Sequence, residues 1–242
     1  VYEQVSAPFL SSLAQLFMAN LLTHFSPPPP VALDLGSGTG FLGREYPAPA
    51  LGLDLSVEML SEGQLYAPTL IPLHADFHQL PLQSNCVPLA ITSFGINHSD
   101  PRRLFREIHR VLIPGGGIAI QEWATLDFPS QVILEAFESE SDVEQWDTPP
   151  EWSTRIQDAD DLSGELRRVG FEIIEVHEHQ PLTLRVTREQ FFGYRTIWEM
   201  YQVILSDPQK AARIQGEIAT GLPDWIEWSP RLWWAFARKP VV

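Results

Sequence analysis

The sequence predicts a doubly wound α/β fold, and three observations predict it. Residues 31–40, VALDLGSGTG, are a short apolar run that ends in Asp34 and a turn with glycine at every second position. Residues 50–55, ALGLDL, repeat the pattern, an apolar run ending in an acid, Asp54. From 31 to 123 such runs alternate with segments of helical periodicity, as a parallel sheet with crossover helices requires.

The elements follow in order. Residues 8–25 place Phe9, Leu10, Leu13, Leu16, Phe17, Leu21 and Leu22 at helical spacing, and Pro27 to Pro30 form a stiff linker into the first strand. Tyr2 lies ahead of this helix. Val31 to Leu35 read as a buried parallel strand. Gly36, Gly38 and Gly40 let the backbone turn sharply and approach a ligand closely, with Ser37 between them. Phe41 to Glu45 read as the start of a helix, so strand, turn and helix frame a nucleotide-sized crevice at the carboxyl edge of the sheet. The spacing is not the G-x-G-x-x-G of a pyrophosphate site. A carboxylate at Asp34 would repel a diphosphate and suit an ammonium group.

Asp54 ends the second strand roughly 20 residues after the turn, where an acid that accepts from both ribose hydroxyls belongs. Ser56 is the expected N-cap of a helix with Met59 and Leu60 on its buried side. Residues 69–73 are a third strand, followed by His74-Ala75-Asp76-Phe77. Residues 89–94, LAITSF, are the fourth, followed by a loop to Pro101. Asp100 and Pro101 open a helix to Leu112. Pro114 to Gly117 make a tight turn into the fifth strand, Ile118 to Ile120.

Beyond residue 123 the chain elaborates. Residues 124–157 hold a helical stretch at 132–137 and a strongly acidic one at 138–147. A helix from Asp158 to Val169 ends at Gly170, a sixth strand covers 171–176, and a seventh covers 232–237. Residues 181–230, between these two strands, are far longer than a hairpin loop of about 2–5 residues and read as helical at 187–205 and 208–220. A substrate lid is expected there. Trp146, Trp152, Tyr194, Trp198, Tyr201, Trp225 and Trp228 lie in the elaborations, most of them expected to pack added helices and one or two to face a substrate.

The stretch DLGSGTG resembles motif I of the class I S-adenosylmethionine-dependent methyltransferases. GLDLSVEML is similar to motif II, and FREIHRVLIPGGGIAIQEW to the segment leading into the fifth strand of that family. The resemblance runs through residues 31–123 in register, and TSFGINHSD most resembles the type 11, ubiquinone/menaquinone methyltransferase group. It implies a single methyltransferase domain over 1–242. That domain comprises an N-terminal helix and linker (1–30), a cofactor core (31–123) and a helical lid insertion (181–230). The sheet would be a seven-stranded Rossmann-like one whose last strand is antiparallel. The implied cofactor is S-adenosyl-L-methionine, held by Asp34, Gly36, Ser37, Gly38, Gly40, Asp54, Leu55, Met59, Asp76, Phe77 and Ser93, with Tyr2 folding over it. Asp76 is assigned to the adenine amine and Phe77 to the adenine edge.

Pro88 departs from the family's D-x-S-F-D pattern, standing where the last acid belongs. That acid is associated with the methyl-transfer end of the pocket, so a binding protein without catalysis, a partner or regulatory subunit, is a second reading. A dinucleotide oxidoreductase is a third, and the glycine spacing and the Pro-Gly-Gly turn oppose it. Methyl transfer is an in-line displacement in which the protein aligns the partners and excludes water. If a base is needed, His98 after the fourth strand is the candidate. His74, His109, His177 and His179 are expected to be structural, the last two on exposed strand positions, and no metal is expected.

A formal net charge of −15 over 242 residues opposes nucleic acid and anionic lipid as partners. No apolar run approaches the ~18 residues of a membrane span. One cysteine, Cys86, fits a reducing, cytoplasmic setting. The expected acceptor is a small apolar or aromatic molecule.

Overall fold

The computed structural model describes residues 2–96, 99–124, 126–140, 155–197 and 199–241. They fall into two compact units. One comprises Leu10–Ala124, Pro150–His179 and Leu232–Val242, the other Val1–Phe9, Thr125–Pro149 and Gln180–Arg231.

The first unit is built on seven strands: β1 (Ala32–Leu35), β2 (Ala50–Asp54), β3 (Leu70–His74), β4 (Val87–Ser93), β5 (Leu112–Trp123), β6 (Glu172–His179) and, last in the chain, β9 (Leu232–Arg238). Their order in the sheet is β3-β2-β1-β4-β5-β9-β6. Strands β1 to β5 are parallel, and β9 runs antiparallel to both β5 and β6. This is the expected sheet, with the predicted sixth and seventh strands as β6 and β9. The order reverses between β1 and β4, and an α/β sheet opens its ligand crevice at such a switch point.

The strands form where the sequence offers continuous apolar runs, because helices cover both faces. All four residues of β1 are buried, as are Leu89 to Ile91 of β4. Helix α2 (Val57–Tyr66) starts at Ser56, whose hydroxyl accepts from the Met59 amide at 3.2 Å. Helix α3 (Pro101–Val111) is capped by Asp100 and buries Leu104, Phe105, Ile108 and Val111, one face at helical spacing. Helix α5 (Ala159–Val169) starts at Asp158 and ends at Gly170, whose φ of +103° suits glycine.

Two elements of this unit differ from the sequence reading. The helix expected after the glycine turn is a single 3-10 turn, Gly43–Glu45. Pro47 holds Tyr46 in extended backbone, and the Tyr46 hydroxyl donates to the Pro29 carbonyl at 2.6 Å. Strand β5 begins at Leu112 and runs through the glycines. A Cβ on Gly117 would overlap the Phe25 ring, so glycine is required there for packing.

The N-terminal helix α1 spans Tyr2–His24 and carries Pro8 inside it. Contrary to the sequence reading, it is long and apolar enough to cross a membrane. Its apolar face is occupied within the protein: Leu13, Phe17 and Leu21 are fully buried, and Phe17 packs on Trp234 and Phe236 with ring centroids 5.4 and 5.6 Å apart.

The second unit holds α4 (Phe128–Glu138), α6 (Arg188–Arg195), α7 (Glu199–Leu205), α8 (Pro208–Gly221) and an antiparallel ribbon of β7 (Leu184–Thr187) with β8 (Trp225–Trp228). The insertion is therefore not wholly helical. LRVT and WIEW bury alternate residues, Val186 in the first and Ile226 and Trp228 in the second, but four residues are too few for periodicity to tell strand from helix. Phe9 stacks on Tyr194 at 4.2 Å and meets Phe191 and Trp228 edge-on. The Trp228 indole donates to Asp127 Oδ2 at 2.8 Å, while Asp127 Oδ1 caps α4 through Ser130. Tyr194 and Trp228 are thus packing groups, as expected, and Tyr201 packs edge-on to Phe137. Trp146, Trp152, Trp198 and most of the acidic stretch lie outside the described residues.

Candidate cofactor site

Asp54 is the centre of the site. At the end of β2 its Oδ2 accepts the Gly38 amide at 2.8 Å and its Oδ1 accepts the Ser56 amide at 2.9 Å. One carboxylate thus ties the glycine turn to the start of α2, and each oxygen keeps a lone pair for a further donor. Gly36, Gly38 and Gly40 all have positive φ, at +66°, +54° and +87°. A Cβ on Gly38 would meet nothing nearer than the Met59 methyl at 3.9 Å, so the space above the turn is open. Leu55, beside the acid, is 70 % exposed. An acid with spare acceptor capacity, an open glycine backbone and an accessible apolar side chain fit a ribose with its adjoining base.

Asp34 is placed differently from the expectation that it meets a cationic ligand. It is 1 % exposed, and its Oδ2 accepts the Gly43 amide at 2.9 Å, holding the far end of the turn. Burial pushes its carboxyl up from the usual 3.8 to about 8, with the Gly43 hydrogen bond opposing and the Asp54 charge adding to the rise. Ser37 is also turned inward. Its hydroxyl is buried with no hydrogen-bond partner among the described residues and lies 2.9 Å from where a Cβ on Gly52 would stand.

Asp76 follows β3, and its Oδ1 accepts both the backbone amide and the ring Nδ1 of His78, at 2.8 and 2.9 Å. The Phe77 ring comes within 3.8 Å of a Cβ position on Gly36, which places it beside the turn. At the ends of β4 and β5, Ser93 accepts from the Gln121 amide at 2.8 Å, and Gln121 in turn accepts from the Trp234 indole at 3.0 Å. Glu122, fully buried, accepts the Ile96 amide at 3.0 Å and so fixes the loop after β4. Phe94 has a φ of +62°, rare for a bulky residue, and its ring stacks on Trp123 at 4.0 Å. Gly95 beside it sits at a close approach: a Cβ there would stand 2.9 Å from Thr92 Oγ1 and 3.2 Å from the Leu35 carbonyl.

Of the residues assigned from sequence, Asp34, Gly36, Ser37, Gly38, Gly40, Asp54, Leu55, Met59, Asp76, Phe77 and Ser93 all lie in the first unit, at or beside the carboxyl ends of β1 to β4. Tyr2 is the first residue of α1 and belongs to the second unit. His98 lies outside the described residues.

Pro88 is near the amino end of β4, at a register shift against β5. Five residues of strand, about 16 Å at ~3.3 Å each, separate it from Ser93. It therefore does not shape the carboxyl edge, which corrects the weight given to it above. His74 Nε2 lies 3.0 Å from the Leu55 carbonyl, and His109 packs on Phe171, where burial holds its pKa below the usual value. His177 and His179 are half-buried against Trp234 rather than exposed, with His177 Nδ1 3.0 Å from Glu175. Among the described residues no group of three His, Cys, Asp or Glu could hold a metal.

Sequence reading missed His78, Gln121, Glu122 and the Phe94–Trp123 pair. An Asp followed two residues later by a donor is the pattern of an Asx turn, and that signal could have found His78. The others depend on pairings between distant strands.

Residues 33–120 match the family described as a methyltransferase domain. The demethylmenaquinone methyltransferase of Chlamydia pneumoniae is 38% identical over 98 residues, which cover 37% of this chain and 43% of that protein. The ubiquinone/menaquinone biosynthesis C-methyltransferase UbiE of Acidiphilium cryptum is 31% identical over 162 residues, 58% of this chain and 65% of that one. The chain thus spans less than two thirds of either relative. In fold it is similar to an S-adenosylmethionine-dependent methyltransferase from Mesorhizobium loti (TM-score 0.53, 23% identity, 92% of this chain and 98% of that one). It is also similar to the [4+2]-cyclase SpnF (TM-score 0.59, 21% identity, 98% and 82%). The stretch that matches a methyltransferase domain, residues 33–120, thus carries the glycine turn, Asp54 and the strands around them, on the fold of the S-adenosylmethionine-dependent methyltransferases, whose cofactor is S-adenosyl-L-methionine.

Proposed function

We propose that the chain is an enzyme that transfers the methyl group of S-adenosylmethionine to a small apolar or aromatic acceptor. The observation that carries the cofactor half of this reading is the Asp54 carboxylate, fixed by the Gly38 and Ser56 amides beside an open glycine turn. Asp54 would accept from the ribose hydroxyls, Leu55 and Phe77 would flank the adenine, and Asp76 would accept from its amine. Asp34 and Ser37 would act from beneath, holding the shape of the turn. When bound, the cofactor supplies an electrophilic methyl on a sulfonium.

The acceptor half rests on the Phe94–Trp123 stack at the carboxyl ends of β4 and β5. Such a ring pair offers a flat apolar wall and attracts a cation through its π faces. The curated relatives are named for quinone, malonyl-carrier and arsenite methylation, so the family's acceptors are varied and small groups recur among them. If a base is needed, His98 is the candidate.

The test is release of S-adenosylhomocysteine from S-adenosylmethionine across a panel of small acceptors, among them hydroquinones, phenols, amines and carboxylates. Turnover with a flat, uncharged member supports the reading. Tight cofactor binding with no turnover across the panel would favour a binding or non-methylating role, as the cyclase on this fold illustrates.

A further inference from the structure

We propose that His78 is a positioning residue that sets the chain's selectivity for adenine, by holding Asp76 as an acceptor for the 6-amino group. This rests on the reading of Asp76 given above and adds to it a residue outside the motifs that carry the family resemblance.

The chain of bonds is directional. Asp100 caps α3, and its Oδ1 accepts from the Arg102 amide and from Arg155 Nη1, each at 3.0 Å. Its own backbone N–H donates to His78 Nε2 at 3.2 Å. A backbone amide can only donate, so Nε2 must be bare and the ring proton must sit on Nδ1. Nδ1–H then donates to Asp76 Oδ1 at 2.9 Å, and the His78 backbone amide donates to the same oxygen at 2.8 Å. The Phe77 ring meets the imidazole edge-on, with centroids 5.0 Å apart.

Two consequences follow for Asp76. Both donors take Oδ1, and among the described residues Oδ2 makes no hydrogen bond. The carboxylate is 49% exposed in its side chain, so without His78 it would be free to turn into water, whereas His78 at 17% is largely enclosed. The imidazole thus transfers the rigidity of the α3 N-terminus to an otherwise mobile acceptor. A fixed carboxylate accepts from an amine and repels a carbonyl oxygen. It therefore separates adenine from hypoxanthine, which carries oxygen at the same position. Sites that fix a buried or half-buried partner for a ligand N–H discriminate far better than sites that offer only apolar contact.

The experiment measures binding of S-adenosylhomocysteine and S-inosylhomocysteine by calorimetry, to the wild-type chain, His78→Leu and His78→Asn, with thermal denaturation of each. An Asn amide can stand near Nδ1 and donate to Asp76. The wild type should prefer the adenosyl ligand by at least tenfold. His78→Leu should lose most of that preference, and His78→Asn should recover part of it. A structural role alone would weaken both ligands alike and leave the ratio unchanged. If the wild type prefers the adenosyl ligand and a folded His78→Leu keeps the full ratio, the role assigned to His78 is wrong. If the folded wild type binds neither ligand, the reading of the site itself fails.

Discussion

At the scale of single residues, two neighbouring acids have been put to different uses. Asp54 is partly open, and its oxygens are shared between backbone amides and the crevice. Charge-assisted hydrogen bonds are worth roughly 1.5–3 kcal/mol each, so Asp54→Ala should weaken S-adenosylhomocysteine binding by at least tenfold in calorimetry. Asp34 is sealed under the turn with its pKa raised to about 8, mainly by burial. Between about pH 4 and pH 8 the folded chain therefore keeps a proton on Asp34 that the unfolded chain has lost. Stability should fall as pH rises through that window, by at most about 1.4 kcal/mol per pH unit from this group. Asp34→Asn keeps an acceptor for the Gly43 amide and cannot ionise. Thermal melts of the unliganded protein should show it more stable than wild type at pH 8, with the gap closing toward pH 4. An equal gap at both ends would show that Asp34 is charged throughout.

At the scale of elements, what the sequence made legible was what local chemistry decides. The β1 and β4 runs, the Ser56 and Asp100 caps and the Gly170 stop are each written in a few adjacent residues, and each stands where expected. The glycine turn and Asp54 were legible because their spacing is itself the signal. What was not legible depends on partners far along the chain. The helix after the turn is cut to one 3-10 turn where the Tyr46 hydroxyl bonds to the Pro29 carbonyl, 17 residues back. Strand β5 extends through its glycines because Phe25 occupies the face of Gly117. His78 gains its meaning only from the start of α3. The Gly117–Phe25 contact gives a direct test of this kind of packing. Gly117→Ala should destabilise the chain by about 1–3 kcal/mol, the usual cost of overpacking, and Phe25→Leu should relieve much of it in the double variant. Additive losses in denaturant titrations would show that the two positions do not oppose each other.

At the scale of the whole molecule, the residues assigned to the cofactor, Tyr2 apart, lie in one compact unit, and the other contributes aromatic packing and a ribbon without any of the cofactor motifs. This division of labour makes a prediction for hydrogen exchange. S-Adenosylhomocysteine should slow exchange at 36–40, 54–59 and 76–80 and leave 184–228 largely unchanged. Cofactor-induced protection confined to the second unit would reverse the assignment. The central claim, that Asp54 and the glycine turn hold S-adenosylmethionine, meets its most direct test in a calorimetric titration of S-adenosylhomocysteine into the wild-type chain and into Asp54→Ala. The account predicts saturable one-site binding to the wild type and at least tenfold weaker binding to the variant. Equal affinity for the two, or no binding by a folded wild-type chain, would contradict it.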